Sequence, residues 1–237
     1  MELLDKRLSP ATMDAPDLDV GAKPTAVESL AARLKSRILN GDFEPGSFLR
    51  DVKMADEYEV SRHTFRTAAL LLVNQGLLRQ IVNRGFFVPQ FGPDDIVDIT
   101  RLRGLLEGEA VRMIVLNGII PEGAVEAARV MQEAPRNAPS SLLVAADRDF
   151  HRSIIAAGNS PRLQRSYDIL EGEIELLLVQ RQAYYHDPHD MVDEHEDLLD
   201  AMRSRDFETA RSAFEEHWED LRIKLLRNSS GRALKSV

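Results

Sequence analysis

Residues 60–78, VSRHTFRTAALLLVNQGLL, form the stretch of the chain with the clearest chemical pattern. Ser61 can cap the start of a helix, and Arg62 and Arg66 then fall within its first two turns. An apolar segment follows, and Gly76 can end the helix. A helix with long hydrogen-bond donors at its beginning and an apolar rear fits the major groove of DNA. An ordinary amphipathic surface helix shows the same pattern, so the flanking residues must distinguish the two.

Length and composition exclude several classes of protein. The chain has 237 residues, of which 43% are hydrophobic and 29% charged, as in globular proteins of one large or two smaller domains. No apolar run reaches the length of a transmembrane helix, and the first residues lack the layout of a signal peptide. The absence of cysteine excludes a disulfide framework, a thiolate metal site and a cysteine nucleophile. We therefore expect a cytoplasmic protein that does not contact a membrane.

The charge of the chain is distributed unevenly. The net charge is −9, which argues against nucleic acid coating the whole molecule. Residues 24–92, however, carry nine Lys and Arg against seven Asp and Glu, which gives +2. The acidic excess thus lies outside the segment that is predicted to touch DNA.

The residues around this segment predict a winged helix-turn-helix. A first helix is expected to start near Thr25, because apolar residues recur on one face before Asn40-Gly41. A short helix over residues 51–58 precedes the 60–78 stretch. Two short strands, 79–82 and 86–88, flank a turn at Asn83-Arg84-Gly85, where Gly85 can adopt positive φ. Three helices and a hairpin make up this arrangement.

The same residues resemble the DNA-binding domain of GntR-family bacterial transcription regulators. The matching positions are Ile38–Gly46, Val60–Arg62, Arg66, Ala68, Gly76-Leu77 and Arg84-Gly85. We expect contacts with operator DNA from Ser61, Arg62, His63, Thr64, Arg66, Arg84 and Gly85. The chain departs from the usual Thr-Pro-Val-Arg-Glu at residues 63–67, so the operator sequence does not follow from the resemblance. Leu70 and Leu71 replace polar residues of the family, which indicates packing against another domain or subunit.

The remainder of the chain is predicted to be an all-α antiparallel bundle. Six amphipathic segments follow the joint at residues 91–93, namely 94–116, 121–134, 140–157, 160–184, 190–204 and 206–228. The predicted division is a flexible tail (1–24), the winged helix-turn-helix (25–91), the helical domain (93–229) and a C-terminal tail (230–237). The overall class is mainly α.

Four ionisable residues lie on apolar stripes of this helical domain. Asp147 and His151 are one helical turn apart, and His195 and His217 lie among apolar residues of two later helices. Buried polar groups need partners, and one divalent cation satisfies all four. Such an N3O set suits Zn, and also Ni, Mn or Fe, with one or two positions left for a ligand. Taken singly, a histidine on an apolar face is more often a hydrogen-bonded core residue. A solvated loop explains His186 and His189.

These residues also resemble a known domain. The pattern Asp147-x-x-Phe150-His151, Gly158-Asn159, Glu194-His195 and His217, with Arg103-x-x-Leu106-Glu107, resembles the FCD effector domain of the FadR subgroup of GntR regulators. The resemblance implies that Asp147, His151, His195 and His217 hold the metal and that Arg103 binds an effector carboxylate. A salt bridge from Arg103 to Glu107 is the equal alternative. The acidic residues Glu171, Glu173 and Glu175 are interpreted as a solvated face, with an altered pocket charge as the other possibility.

The combined expectation is a ligand-responsive transcription repressor without catalytic residues. It would bind pseudo-palindromic operator DNA as a homodimer under the control of a small organic acid. One alternative is a metal-dependent hydrolase in which Glu194 acts as general base. Another alternative is a metal-free regulator of the same fold that binds a long-chain acyl ligand.

Overall fold

The structure is a computed structural model that describes residues 24–135, 138, 140–181 and 188–232. The predicted N-terminal tail up to residue 23, His186, the side chain of His189 and residues 233–237 lie outside the described residues. Within the described part of the chain, no helix is both long and apolar enough to cross a membrane.

The N-terminal third contains three helices and three short strands. In chain order they are α1 (Ala26–Leu39), β1 (Phe48–Leu49), α2 (Asp51–Glu57), α3 (Arg62–Asn74), β2 (Arg79–Ile81) and β3 (Gly85–Phe87). Thr25 caps α1 in a capping box with Glu28, and Ser61 caps α3 by accepting a hydrogen bond from the Thr64 amide. The predicted helix starts are therefore confirmed.

The wing is a three-stranded antiparallel sheet rather than the predicted hairpin alone. Its strand order is β1-β3-β2, with Phe48 opposite Phe87 and Ile81 opposite Gly85. The strand β1 has two residues, which is too short to leave a period in the sequence. In the β2–β3 turn, Asn83 and Gly85 both have positive φ, at 63° and 94°, as this tight reversal requires.

Six helices follow and form the bundle. They are α4 (Pro93–Asn117), α5 (Glu122–Glu133), α6 (Ser140–Ala157), α7 (Pro161–Arg181), α8 (Pro188–Arg203) and α9 (Phe207–Arg232). Helix α4 packs along α9, and α5 packs along α6. Each predicted segment is present, although α9 continues three residues into the predicted C-terminal tail. Gly118 ends α4 in the left-handed conformation, and Gly158-Asn159 follows the end of α6.

Helix α7 belongs to both halves of the molecule. Its apolar residues Leu170, Ile174 and Leu177 share one hydrophobic core with α1, α3 and the wing. The bundle has a second core of its own, to which α7 contributes Tyr167. Ile96 and Ile99 of α4 and Leu225 of α9 join the same core, so the winged helix-turn-helix packs on the bundle through α7 together with these two helices.

The contact between α3 and α7 is close enough to require glycine on both sides. A Cβ atom at Gly172 would lie 1.8 Å from the carbonyl oxygen of Gln75, and one at Gly76 would lie 2.5 Å from that of Ile169. Two ion pairs flank the contact, Lys35–Glu175 at 2.7 Å and Arg79–Glu173 at 3.3 Å. Backbone therefore packs directly on backbone at the end of α3.

Candidate metal centre and nucleic-acid interface

Four ionisable side chains from three helices converge inside the bundle. Helix α6 supplies Asp147 and His151, α8 supplies His195, and α9 supplies His217. All four are buried, and one candidate ligand atom from each lies within 4.8 Å of the others. The three imidazole centroids are 5.2 to 5.5 Å apart. The sequence analysis named these four residues, and the structure brings them together.

The hydrogen bonds of His195 and His151 identify the nitrogen that each ring turns toward the centre. Nδ1 of His195 lies 2.8 Å from the carbonyl oxygen of Met191, so this nitrogen must carry the proton and donate it. Nδ1 of His151 lies 3.0 Å from a carboxylate oxygen of Glu107 and is likewise the donor. In each ring Nε2 therefore presents a lone pair to the centre.

Those lone pairs face a carboxylate. Oδ1 of Asp147 lies 3.3 Å from Nε2 of His195 and 3.7 Å from Nε2 of His151. The structure shows no hydrogen-bond partner among the described residues for either Nε2 atom, whereas Nδ1 of His217 lies 3.5 Å from a carboxylate oxygen of Glu194. Acceptors that face each other in a buried site repel unless a cation lies between them. The donor set therefore fits a divalent metal ion.

Glu107 orients the ring of His151 through the nitrogen that faces away from the centre. Its carboxylate, fully buried on α4, accepts hydrogen bonds from Arg103 Nε at 2.8 Å and from Tyr167 at 2.9 Å. It also accepts from Trp218 Nε1 at 2.7 Å and from His151. A carboxylate that fixes the tautomer of a ligand histidine sets both the direction and the basicity of the ligand nitrogen. The sequence analysis assigned Glu107 only a salt bridge.

The electrostatics of the cluster favour the protonation states that a metal needs. Burial, followed by the charge of Arg103, lowers the pKa of His151 to about 4, so the imidazole is neutral near neutral pH. Burial likewise lowers the pKa of His217. Burial alone would raise the pKa of Asp147, but contact with His195 and the charge of Arg103 hold it well below its ordinary value. Neutral imidazoles and an ionised carboxylate are the metal-binding forms.

A small cavity between α4, α6 and α7 adjoins Asp147 and His151, two of the four residues. It is lined by Arg103, Val144, Asp147, Arg148, His151, Tyr167, Glu171, Ile174, Glu175 and Leu178. Its volume is about 10 Å³, which is room for about one water molecule. A larger ligand can enter only if the surrounding side chains or helices move apart.

Arg103 forms the salt bridge that the sequence offers as one of its two roles, and part of its guanidinium lacks a partner among the described residues. Its Nε donates to Glu107, which confirms the predicted salt bridge. Its Nη1, although buried in the cavity wall, has no hydrogen-bond partner within the described part of the chain. The guanidinium is therefore anchored on one side and free to bind an anion on the other.

The acidic residues of α7 do not form the expected solvated face. Glu171 is 8% exposed and Glu175 is 2% exposed, and both line the cavity. Only Glu173, in its ion pair with Arg79, retains substantial exposure. The interpretation as a solvated face was therefore wrong, because α7 packs against the bundle on one side and the winged helix-turn-helix on the other.

Residues predicted to touch DNA lie at the N-terminal end of α3. Arg62 and His63 are exposed there. The hydroxyls of Ser61 and Thr64 are 2.8 Å apart and hydrogen-bonded within the cap, so their first role is to start the helix. Leu71 lines a groove against α7, as the prediction of packing against another domain required, while Leu70 is 41% exposed.

Arg66 is held in place by the wing and by α2. Its Nη1 lies 2.5 Å from Oδ2 of Asp51, and its guanidinium lies over the ring of Phe86 at 5.6 Å. A groove of about 680 Å³ separates this part of α3 from the wing. Besides Arg66, Arg84 and Gly85, its lining includes Arg50 and Gln80, which the sequence analysis did not assign. Arg50 follows β1, and a strand of two residues shows no alternation that would predict it. The position of Arg50 beside the wing was therefore not predicted from the sequence.

Comparison with known proteins identifies both regions. The description "Bacterial regulatory proteins, gntR family" matches residues 26–88, and the description "FCD domain" matches residues 98–220. The HTH-type transcriptional regulator BphR of Paraburkholderia xenovorans (strain LB400) is 30% identical over 214 residues, which is 87% of each chain. The gluconate operon transcriptional repressor of Bacillus subtilis (strain 168) is 24% identical over 224 residues, or 90% of this chain and 92% of that protein.

Solved structures agree with the fold. A GntR transcriptional regulator from Rhodococcus sp. RHA1 superposes with a TM-score of 0.67 at 25% identity, covering 84% of this chain and 97% of that one. McbR/YncC of E. coli superposes with a TM-score of 0.69 at 22% identity, covering 86% and 99%. These relatives are transcription regulators rather than enzymes, so the hydrolase alternative is excluded. The chain belongs to the GntR family of bacterial transcription regulators, with an FCD domain after its winged helix-turn-helix.

Proposed function

We propose that this chain is a metal-containing repressor of the FadR subgroup. Its affinity for operator DNA would change when a small carboxylate binds. One observation carries the proposal. A buried centre contains the lone pairs of His151 and His195, the carboxylate of Asp147 and the imidazole of His217. Arg103, whose Nη1 is unpaired among the described residues, lies beside it. Residues 25–91 would bind DNA, and residues 93–229 would bind metal and effector.

The metal is proposed to be zinc, held by Asp147, His151, His195 and His217. Three imidazoles and one carboxylate suit zinc as well as Ni, Mn or Fe, and the chain has no thiolate to favour softer ions. When bound, the ion supplies a positive charge and open coordination positions that an oxyanion can occupy. Glu107 keeps His151 in the tautomer that this binding needs.

The effector is proposed to be a small organic acid bound between the metal and Arg103. The guanidinium can form parallel hydrogen bonds to a carboxylate, and Arg103 lines the cavity with its Nη1 unpaired among the described residues. The relative from B. subtilis is named as a gluconate operon repressor, and gluconate is a small hydroxy acid. That name supports both the ligand class and repression as the mode of action.

Helix α7 is proposed to carry the signal. The cavity in this structure is nearly closed, so an effector must separate α6 from α7, which the ion pair Arg148–Glu175 joins at 3.0 Å. The same Glu175 binds Lys35 of α1, and the backbone near Gly172 packs on the end of α3. Movement of α7 therefore displaces the DNA-binding helices. An effector that prefers the open arrangement shifts the equilibrium toward it.

A thermal-shift screen of small carboxylates on metal-loaded protein, followed by operator-binding titrations, tests this function. Carboxylates that raise the melting temperature should change operator affinity by roughly five- to 150-fold. Both effects should be lost in protein stripped of metal and in the Arg103→Lys variant. Lysine keeps the buried charge opposite Glu107 but lacks the planar pair of parallel donors that binds a carboxylate through both oxygens.

Arg112→Ala is the matched control, since Arg112 lies on the same helix α4 in an exposed pair with Glu109. This variant should behave as the wild type does. A carboxylate that stabilises the protein equally with and without metal would contradict the proposed site. One that stabilises the protein without altering operator affinity would contradict the proposed control.

A further inference from the structure

We propose that the effector carries a hydrogen-bond donor, an ammonium or hydroxyl group, in addition to its carboxylate, and that Glu171 binds this donor. The inference rests on the proposed function and narrows its ligand class from small carboxylates to amino acids and hydroxy acids. It starts from a carboxylate oxygen in the wall of the cavity that belongs neither to the four candidate ligands nor to a complete ion pair.

Glu171 is buried with only one of its two carboxylate oxygens in a hydrogen bond to a described residue. Its Oε2 accepts a hydrogen bond from Arg152 at 2.8 Å, and the side chain is 10% exposed. Its Oε1 is buried and has no hydrogen-bond partner in the regions that the structure describes. A buried acceptor without a donor costs free energy, so this oxygen is suited to accept a hydrogen bond from a ligand or from a water molecule that the ligand displaces.

The neighbouring carboxylate shows the contrast. Glu175 lies one turn further along α7 and is buried more deeply. Its Oε2 pairs with Lys35 at 2.7 Å and its Oε1 pairs with Arg148 at 3.0 Å, so both oxygens are occupied. Arg148 in turn also binds Asp149. Glu175 and Arg148 neutralise each other within the wall, whereas Glu171 keeps one oxygen available.

The cavity therefore offers two complementary unpaired groups besides the metal-facing nitrogen. Arg103 Nη1 is a donor without an acceptor, and Glu171 Oε1 is an acceptor without a donor, when the described residues alone are counted. A plain carboxylate satisfies only the first. An amino acid or hydroxy acid satisfies both, because its ammonium or hydroxyl group can donate to Glu171 while its carboxylate binds the guanidinium.

Arg152 makes Glu171 a positioned acceptor rather than a mobile one. It holds Oε2 on the side of a separate groove that Arg152, Asp168 and Glu171 itself line, so Glu171 lies between this groove and the cavity. A fixed acceptor favours a ligand that carries a donor, since the donor pairs the buried oxygen whereas a plain acid leaves it unpaired. We expect discrimination of at least tenfold between a donor-bearing carboxylate and its plain counterpart.

The test compares matched ligands on metal-loaded, full-length protein by calorimetric titration. One set consists of propionate, lactate and alanine, and the second of succinate, malate and aspartate. Within a set the carbon skeleton is constant and only the donor changes. In a set that binds, the hydroxy or amino acid should bind at least tenfold more tightly than the plain acid, which corresponds to about 1.4 kcal/mol.

Two variants of Glu171 then separate charge from hydrogen bonding. Glu171→Gln keeps an acceptor oxygen and removes the charge, so affinity should fall more for the amino acid than for the hydroxy acid. Glu171→Ala should bring both ligands to the affinity of the plain acid and leave the plain acid itself unchanged within a few-fold. Asp168→Asn is the control, because Asp168 is acidic and lies on α7 one turn before Glu171 but does not line the cavity.

The possible failures are distinguishable. If plain and donor-bearing acids bind equally well to the wild type, or if Glu171→Ala weakens all three ligands of a set alike, this inference is overturned. The proposed function still stands in that case as long as binding requires metal and Arg103. If no member of either set binds, the proposed effector class and this inference fall together.

Discussion

At the scale of single residues, the two arginines of α3 that are predicted to contact DNA, Arg62 and Arg66, differ in how they are held. Arg62 is exposed on the first turn of α3, while Arg66 is oriented by Asp51 and Phe86. Arg62→Ala and Arg66→Ala should each weaken specific operator binding by about 1–3 kcal/mol, because a bidentate contact to a base edge is lost. Mobility-shift titrations at fixed salt, on an operator selected from randomised DNA, measure the change.

Arg211→Ala provides the control for these variants, since Arg211 is exposed on α9 and pairs with Glu208 and Glu215 of its own helix. Its operator affinity should equal that of the wild type. Undiminished binding by both Arg62→Ala and Arg66→Ala would remove α3 as the recognition helix.

The metal centre gives a second prediction at this scale. His195→Ala should lose bound divalent metal and with it the metal-dependent part of stability. That part is about 2.7 kcal/mol when the metal concentration is one hundred times Kd. Elemental analysis measures the metal content, and the fluorescence of Trp218, the single tryptophan of the chain, follows the titration through its hydrogen bond to Glu107.

His63→Ala, an exposed histidine on α3, is the matched control and should keep full metal content. Only the difference in stability with and without metal is compared, because removing a buried ring also leaves a cavity. Equal metal content in wild type and His195→Ala would contradict the assignment of this ligand.

Sequence reasoning identified the four converging residues but missed the group behind them. Asp147 and His151 are visible as an i,i+4 pair, and the family pattern adds His195 and His217. Glu107 contacts residues that are 44, 60 and 111 positions away along the chain. These contacts depend on how α4, α6, α7 and α9 pack against one another. The spacing of residues along the sequence does not predict that packing.

At the scale of elements, helix bounds were more predictable than helix faces. Caps and stops such as Thr25, Ser61 and Gly118 act locally, so they can be recognised without tertiary structure. The acidic side of α7 was predicted to be exposed because several Glu residues in one helix are typical of a solvated face. In the structure, α1 and α6 cover part of this face. Lys35, Arg148 and Arg152, which compensate those charges, come from α1 and α6.

The docking of α7 on α3 supplies the third prediction. In Gly172→Ala the new Cβ would meet the Gln75 carbonyl, so α7 must shift away from the end of α3. We expect a loss of about 1–3 kcal/mol in the free energy of unfolding, as for other overpacked sites. We also expect a smaller effect of a stabilising carboxylate on operator affinity. Thermal melts and paired operator titrations measure the two effects.

Gly108→Ala is the control for this change. Gly108 is also helical, but its Cβ would lie at an ordinary 3.6 Å from Trp218, and alanine favours a helix. If Gly172→Ala matches this control in stability and in its response to the carboxylate, α7 does not link the two halves of the molecule.

At the scale of the whole molecule, the uneven charge predicted from sequence has a structural counterpart. The net-positive stretch of residues 24–92 contains α3 and the wing, and the acidic remainder forms most of the bundle. An acidic bundle is repelled by DNA, which favours approach through the winged helix-turn-helix alone. One winged helix-turn-helix contacts only a short stretch of DNA, so high operator specificity requires two of these domains that bind together.

The last prediction tests that pairing. If a homodimer places two α3 helices in successive major grooves, the half-sites of its operator lie about 10–10.5 base pairs apart, or a multiple of this distance. Inserting about five base pairs between them turns one half-site to the opposite face of the duplex. Operator affinity should then fall toward that of a single half-site. An insertion of about ten base pairs is the control, because it restores the face and should recover part of the affinity. Equal affinity for all three spacings in mobility-shift titrations would show that each winged helix-turn-helix binds independently. The effector would then have to act on a single α3 helix rather than on the distance between two.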